Sequence, residues 1–442
     1  MSVPPPSVIG MEERWSTEHV LSLAPDQPSR KAAGKLSAPT PWSATGQGEG
    51  TLWGLCKGSG STPYRTVVEL TTPAYKCSCP SRKFPCKHAL GLLLLWSGDL
   101  LAITATEPPD WVAEWLSSRQ QTVERRAAAT TTAPADPVAA ARRAARRTTR
   151  IAAGAAELRL RLADRVRHGL ADEPPGDWDE VAARMVDAQA PRLAAQVREL
   201  SYLPSQERLA EYALLHLLAG AVGRADQLPE ELAATVRNRV GVPADTAELL
   251  AGPTVRDRWL VLGSRDTADD RLTTRRIWLR GAKTGRPAVL LAFGGPGRAP
   301  ELALPVGRLL EAELAFHPGA RPLRAVLGTR YGEPEPDAAV PDGVTVGEAV
   351  AEYGRAVAED PWAESWPTVL TGVVPVLGSD GWRLTDGQHS LPVRTGSCPE
   401  PALWRLAAVS AGHPLTVFGE SGHRGFAPIT AWPTNGPATP LT

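Results

Sequence analysis

Cys77, Cys79, Cys86 and His88 stand within one short stretch, Lys76-Cys77-Ser78-Cys79-Pro80-Ser81-Arg82-Lys83-Phe84-Pro85-Cys86-Lys87-His88. The pattern is C-x-C, a six-residue spacer, then C-x-H. Three thiols and an imidazole are a complete ligand set for tetrahedral Zn²⁺, and a closed four-ligand set leaves no open position for substrate. One structural zinc ion is therefore expected, held by Cys77, Cys79, Cys86 and His88. Ligands at i and i+2 lie on the same side of an extended strand, which places the first pair at a strand end. Pro80 and Pro85 restrict the connecting loop because each fixes its own φ.

The flanks agree with such a site. Pro63-Tyr64-Arg65-Thr66-Val67-Val68-Glu69-Leu70 has the β-branched and aromatic content of a strand. After His88 the run Ala-Leu-Gly-Leu-Leu-Leu-Leu-Trp reads as a buried helix with His88 in its first turn. The alternative is that the cysteines are reduced core residues or a disulfide pair. Met1-Ser2-Val3-Pro4-Pro5-Pro6 has no charged and apolar leader segments, so a cytoplasmic chain is expected, and disulfides are rare there.

This arrangement resembles the SWIM zinc finger of bacterial SWIM zinc finger family proteins. The likeness rests on the metal stretch above and on Trp53-Gly54-Leu55-Cys56-Lys57-Gly58-Ser59-Gly60, within about residues 10–100. It implies that the four residues named above are the zinc ligands. It also implies binding to DNA or to other proteins, without choosing between them.

Length bounds the rest. A chain of 442 residues exceeds one compact domain. Up to His168 there are 22 Lys+Arg against 14 Asp+Glu, net +8; subtraction from 48 of each leaves 26 against 34, net −8. Six of seven lysines precede residue 88 (Lys31, Lys35, Lys57, Lys76, Lys83, Lys87), and only Lys283 follows. That distribution predicts a positive face around the metal, although surface lysines also serve solubility alone. No apolar run approaches the roughly 18 residues that span a bilayer, so no membrane is expected.

The expected fold class is a multi-domain α+β chain: a small zinc-stabilised ββα-like finger domain, a helical middle region and a β-rich C-terminal region. Residues 1–10 read as a flexible N-terminus and 11–105 as the finger domain, with Trp15, Trp42, Trp53 and Trp96 in its core. Residues 117–150 read as an Ala/Arg/Thr-rich linker. If its end were helical, Arg142 and Arg146, Arg143 and Arg147 would stack in a basic stripe with Arg150 beyond. Residues 151–245 are helical by period, with Leu158, Leu162, Val166 and Leu170 on one face and breaks at Pro174-Pro175-Gly176, Pro204 and Pro229. Residues 253–333 and 362–435 are β-rich, the latter as a small barrel or sandwich, of which an OB-like barrel is one version.

Other chemistry is sparse. Gly294-Gly295-Pro296-Gly297 and Gly58-Ser59-Gly60-Ser61-Thr62 lack the lysine of a phosphate loop. His168 and His216 have no assignable role, and Cys56 and Cys398 read as inert buried thiols. Glu359, Asp360 and Glu364 beside Trp362 and Trp366 read as a solvated face. No catalytic residue, organic cofactor or small-molecule substrate is identified, and no enzyme is expected. The expected function is a non-catalytic zinc-binding protein that binds DNA or RNA through its basic finger. The alternative is a protein-protein adaptor whose zinc is purely structural.

Overall fold

An antiparallel meander organises the N-terminal part of the chain. The computed structural model describes residues 15–118 and 137–441, apart from 16, 25–26, 49, 59, 61, 71–73, 82–84, 99–102, 171–175, 177, 269–271, 296–299, 301, 333, 337–339, 395 and 435. Two compact units emerge. One comprises 1–122, 264–277 and 291–308, the other 123–263, 278–290 and 309–442.

In the first unit, α1 (Thr17–Ser22) and α2 (Gln27–Gly34) precede β1 (Trp42–Gly48), β2 (Thr51–Cys56), β3 (Tyr64–Glu69) and β4 (Ala74–Cys77). These strands pair in order as one antiparallel sheet. α3 (Lys87–Gly98) follows, and residues 110–118 form α4. Side chains alternate across a strand. Leu52, Val68 and Tyr75 accordingly join the leucines of α3, while Trp53, Val67 and Ala74 join Val112 and Trp115 of α4. Both faces of this sheet are covered. α3 is apolar all round and buried from His88 to Trp96, as a helix hydrophobic on every side must be. Gly91 is required there, since a Cβ would sit 2.6 Å from Leu36 Cβ.

Two expectations need correcting. Trp53 lies in the α4 cluster, apart from Trp15, Trp42 and Trp96, because it neighbours Leu52 and so faces the other way. The domain does not stop at 105, since Val112 and Trp115 supply the second face.

In the second unit come α5 (Pro137–His168), α6 (Asp179–Asp187), α7 (Pro191–Glu199), α8 (Ser205–Val222), α9 (Glu230–Val240) and α10 (Thr246–Ala251). α8 and α9 begin immediately after Pro204 and Pro229, where breaks were expected. Ile151, Ala155, Leu158 and Leu162 pack with Val181, Met185, Leu193, Val197, Tyr212, Leu218 and Val236. The buried Trp178 indole donates to the Tyr212 hydroxyl at 2.8 Å. The linker assigned to 117–150 is corrected at both ends: 117–118 belong to α4, and 137–150 are helical. Alanine and arginine are strong helix formers, and Pro137 is tolerated in a first turn. Residues 119–136 lie outside the described residues. Val166 is 43% exposed, against expectation. A strict four-residue step outruns the 3.6-residue turn, and the 4-3-4 spacing from Ile151 to Leu162 stays on the buried side.

Strands then dominate: β5 (Val255–Ala268), β6 (Thr273–Gly281), β7 (Pro287–Gly294), β8 (Arg308–Phe316), β9 (Arg324–Arg330) and β10 (Glu335–Pro336), in sheet order β10-β8-β5-β6-β7-β9. The boundary between the units falls within several of these strands, so 253–333 is not one self-contained region.

The C-terminal set is α11 (Val346–Glu359), β11 (Ser365–Gly378), β12 (Gly381–Thr385), β13 (Ser390–Pro392), α12 (Glu400–Ser410), β14 (Leu415–Gly422), β15 (Gly425–Trp432) and β16 (Thr439–Pro440). β11 pairs with β14 through its first half and with β12 through its second, with a register shift between Leu370 and Val373. Gly372 sits in that shift at φ 67°, a left-handed conformation that favours glycine. Val393 makes a parallel bridge to Phe426, which brings the β13 end back to β15. The path closes into a small OB-like barrel. It starts earlier and ends later than 362–435, because Val346, Ala349 and Leu441 share its core.

Candidate metal centre

The β3–β4 hairpin delivers the first two ligands. Its register sets Thr66 opposite Cys77, and the pairing runs one residue further. Ser78 N–H donates to Arg65 O at 3.0 Å, and Arg65 N–H donates to Ser78 Oγ at 2.9 Å. Ser78 thus pins the turn between Cys77 and Cys79. The start of α3 delivers the other two. Leu90 N–H donates to Cys86 O at 3.0 Å, so Cys86 occupies the capping position of the helix. Its sulfur accepts from Ala89 N–H at 3.5 Å, as a serine oxygen would at a helix start. His88 follows in the first turn and is buried.

The ligand atoms of Cys77, Cys79, Cys86 and His88 all lie within 4.8 Å of one another. Cys77 Sγ and His88 Nδ1 are 3.7 Å apart. A tetrahedron with Zn–S of about 2.3 Å and Zn–N of about 2.0 Å has an S–N edge of about 3.5 Å. The donor set and its spacing fit one zinc ion, so these residues are positioned to bind it. Among the described residues no other group of three or more His, Cys, Asp or Glu side chains is so arranged.

Electrostatics points the same way. Crowded thiols cannot all ionise without a cation. The Cys79 thiol is held far below its ordinary value by hydrogen bonds from Cys77 and Cys86. Cys77 is pushed up to about 11, first by its hydrogen bond to Cys79. Cys86 is pushed up by Cys77 and Cys79 and then by burial. Ligand thiols must be deprotonated to bind the metal, so zinc binding here releases protons.

Two further residues shape the site and were not singled out from sequence. The Thr66 hydroxyl lies 3.3 Å from Cys77 Sγ, and against a thiolate only the hydroxyl has a proton to give. The Tyr64 ring stacks at 4.8 Å and 37° on the His88 imidazole. Their signal was the strand register, which places Thr66 across from Cys77.

A SWIM zinc finger profile matches residues 64–96, from β3 through the metal loop to Trp96 of α3. The chain carries a SWIM zinc finger. A profile of the SWIM-associated four-helix bundle domain matches residues 146–240, from within α5 to the end of α9. No curated protein and no solved structure matches the chain. The SWIM finger proper is thus the β3–β4–α3 unit, and β1, β2 and α4 surround it. Beyond residue 150 the sequence offered helices without naming them, and the bundle profile now does so.

The remaining candidates are dispersed. Cys56 is buried and burial pushes its thiol up; Cys398 Sγ donates to Leu441 O at 3.1 Å. Arg142, Arg143, Arg146 and Arg150 are exposed on α5, and Arg147 donates to Gln189 Oε1 at 3.2 Å. In the acidic patch Asp360 pairs with Arg239 at 2.8 Å and Glu359 with Arg321 at 3.4 Å. His168 Nδ1 lies 2.7 Å from Asp164 O, on the exposed end of α5. The Gly58 and Gly294 clusters lie partly outside the described residues. No described helix is long and apolar enough to cross a membrane.

Proposed function

We propose that the SWIM finger is a zinc-built docking surface for nucleic acid in a cytoplasmic protein without catalysis of its own. The observation that carries this reading is the charge on the finger. From Lys57 to His88 there are six basic residues (Lys57, Arg65, Lys76, Arg82, Lys83, Lys87) and one acidic residue, Glu69. Lys57, Arg65, Lys76 and Lys87 are exposed, while Arg82 and Lys83 lie outside the described residues. A zinc centre with three thiolates carries one net negative charge, which leaves most of these cations for a partner. Lysines and arginines on such a face neutralise phosphates and release counterions.

The test is fluorescence anisotropy of labelled duplex and single-stranded oligonucleotides with the full zinc-loaded chain across a salt series. The expected slope of log K against log salt is about −0.7 to −0.9 per phosphate contacted. Lys76→Gln with Lys87→Gln should reduce it by up to two contacts and leave zinc content unchanged. Salt-independent binding, or none at low salt, overturns the reading.

A protein-docking adaptor is favoured by a different observation. Tyr202 is 86% exposed, Leu209 58% and Trp404 52%, all in the second unit. Large exposed apolar side chains suit protein contacts. A partner retained by the full chain at a salt concentration that strips nucleic acid supports that reading instead.

A further inference from the structure

A cavity of about 230 Å³ opens in the second unit, well away in sequence from the zinc ligands. Its walls are Pro191 and Arg192 at the start of α7, Asn238 near the end of α9, the turn Gly241–Ala244, His317 just after β8 and Arg324 at the start of β9. These walls are tied together. His317 N–H donates to Arg324 O at 2.9 Å, Arg192 Nη1 to Asn238 O at 3.1 Å, and Asn238 Nδ2 to Pro318 O at 2.7 Å. Gly241 adopts φ 96°, and a Cβ there would lie 3.1 Å from Arg192 N. Only glycine lets the turn approach α7 so closely.

The chemistry of the lining is one-sided. It offers two guanidinium groups, an imidazole and an amide, and no carboxylate. Among the described residues the Arg324 guanidinium has no hydrogen-bond or ion-pair partner. His317 is 9% exposed, and its Nε2 is buried without a hydrogen-bond partner. α7 adds the positive end of its dipole with no acidic residue in its first turn and no side-chain cap from Ala190. Burial and the nearby Arg192 hold the Arg324 guanidinium below its ordinary range.

We propose that this pocket binds a phosphate-class anion, either free phosphate or the phosphoryl end of a small phosphomonoester. Guanidinium forks match phosphoryl oxygens in pairs, and the His317 imidazole stands in the same wall. A cation is excluded by the two arginines. The volume falls below the roughly 300 Å³ at which pockets begin to take drug-sized ligands, which suits a small anion. The inference does not depend on what the SWIM finger binds.

The full zinc-loaded chain, in a buffer free of phosphate and sulfate, is titrated with inorganic phosphate and with methyl phosphate. Potassium chloride at matched ionic strength is the control. The readouts are calorimetry and the His317 ring resonances. Saturable binding by either anion, with movement of the His317 signals, supports the site. Binding by methyl phosphate identifies a phosphomonoester pocket, and binding by phosphate alone identifies a pocket for the free anion. Arg324→Gln should weaken binding at least tenfold with zinc content unchanged, and Arg324→Lys should weaken it less. Should Arg324→Gln not fold, the wild-type resonances decide. Unmoved His317 signals at millimolar phosphate, or chloride acting as phosphate does, overturn the proposal.

Discussion

The SWIM finger and the C-terminal barrel solve the same local problem with different materials. Each must carry the chain from the end of a strand, through an irregular turn, into a helix that packs on a sheet. In the barrel the turn between β13 and α12 is held by ordinary bonds. Arg394 N–H donates to Phe426 O at 2.8 Å, and Ser397 Oγ donates to Arg394 O at 2.6 Å. In the finger the turn between β4 and α3 has Cys77 and Cys79 at one end and Cys86 and His88 at the other. A metal ion joined to all four does there what backbone hydrogen bonds do in the barrel. The difference teaches that the finger's order is conditional on the ion, whereas the barrel's is written into its strands.

The largest effect that separates the two is removal of the metal. A structural zinc contributes on the order of 10 kcal/mol. Chelation, or Cys86→Ala, should abolish the melting transition of the finger at residues 64–96 while that of the helical bundle stays where it was. If both units melt unchanged with full zinc content, the ligand assignment is wrong. Next in size is a cavity in the bundle. Met185 is fully buried among Ile151, Leu193 and their neighbours, and Met185→Ala should cost about 2–5 kcal/mol. Here the second transition should drop and zinc affinity should hold; a loss of zinc would show that the two units are not separable.

The smallest effect is pH dependence within the second unit. The His317 imidazole is pushed down to about 4 from its ordinary 6.5, by burial first and then by Arg324 and Arg192. The folded unit therefore keeps His317 neutral while the unfolded chain takes up a proton in that window. The contribution is complete above pH 6.5 and is lost as pH falls from 6.5 towards 4. Melting of the second unit, followed in phosphate-free buffer at pH 7 and pH 4.5, should decline in the wild type and decline less in His317→Gln. Equal declines would clear His317 of the effect.

The zinc site was legible because its chemistry is compressed into neighbouring residues. Cys77, Cys79, Cys86 and His88 need no tertiary information to be recognised, and a helix starting near His88 follows from eight consecutive apolar or small residues. The supporting groups were not legible. Thr66 reaches Cys77 only through the β3–β4 register, and the sequence does not state that register. The barrel was half legible: its strands and hairpins announce themselves at Ser379-Asp380-Gly381 and Thr385-Asp386-Gly387, but closure depends on Val393 meeting Phe426, 33 residues later by difference of numbering. The start of α5 was hidden by composition, because Ala- and Arg-rich sequence reads equally as linker and as helix. The anion pocket was wholly hidden, since Arg192 and Arg324 come together only by folding.

α3 has a consequence for the life of the chain in a cell. Its apolar surface is continuous around the helix, and Cys86, the residue that caps it, is also a zinc ligand. A chain short of zinc therefore loses the anchor of its greasiest segment and presents Leu90 to Trp96 to whatever captures unfolded protein. Metal supply then bears on how much of the chain stays folded and out of reach of quality control.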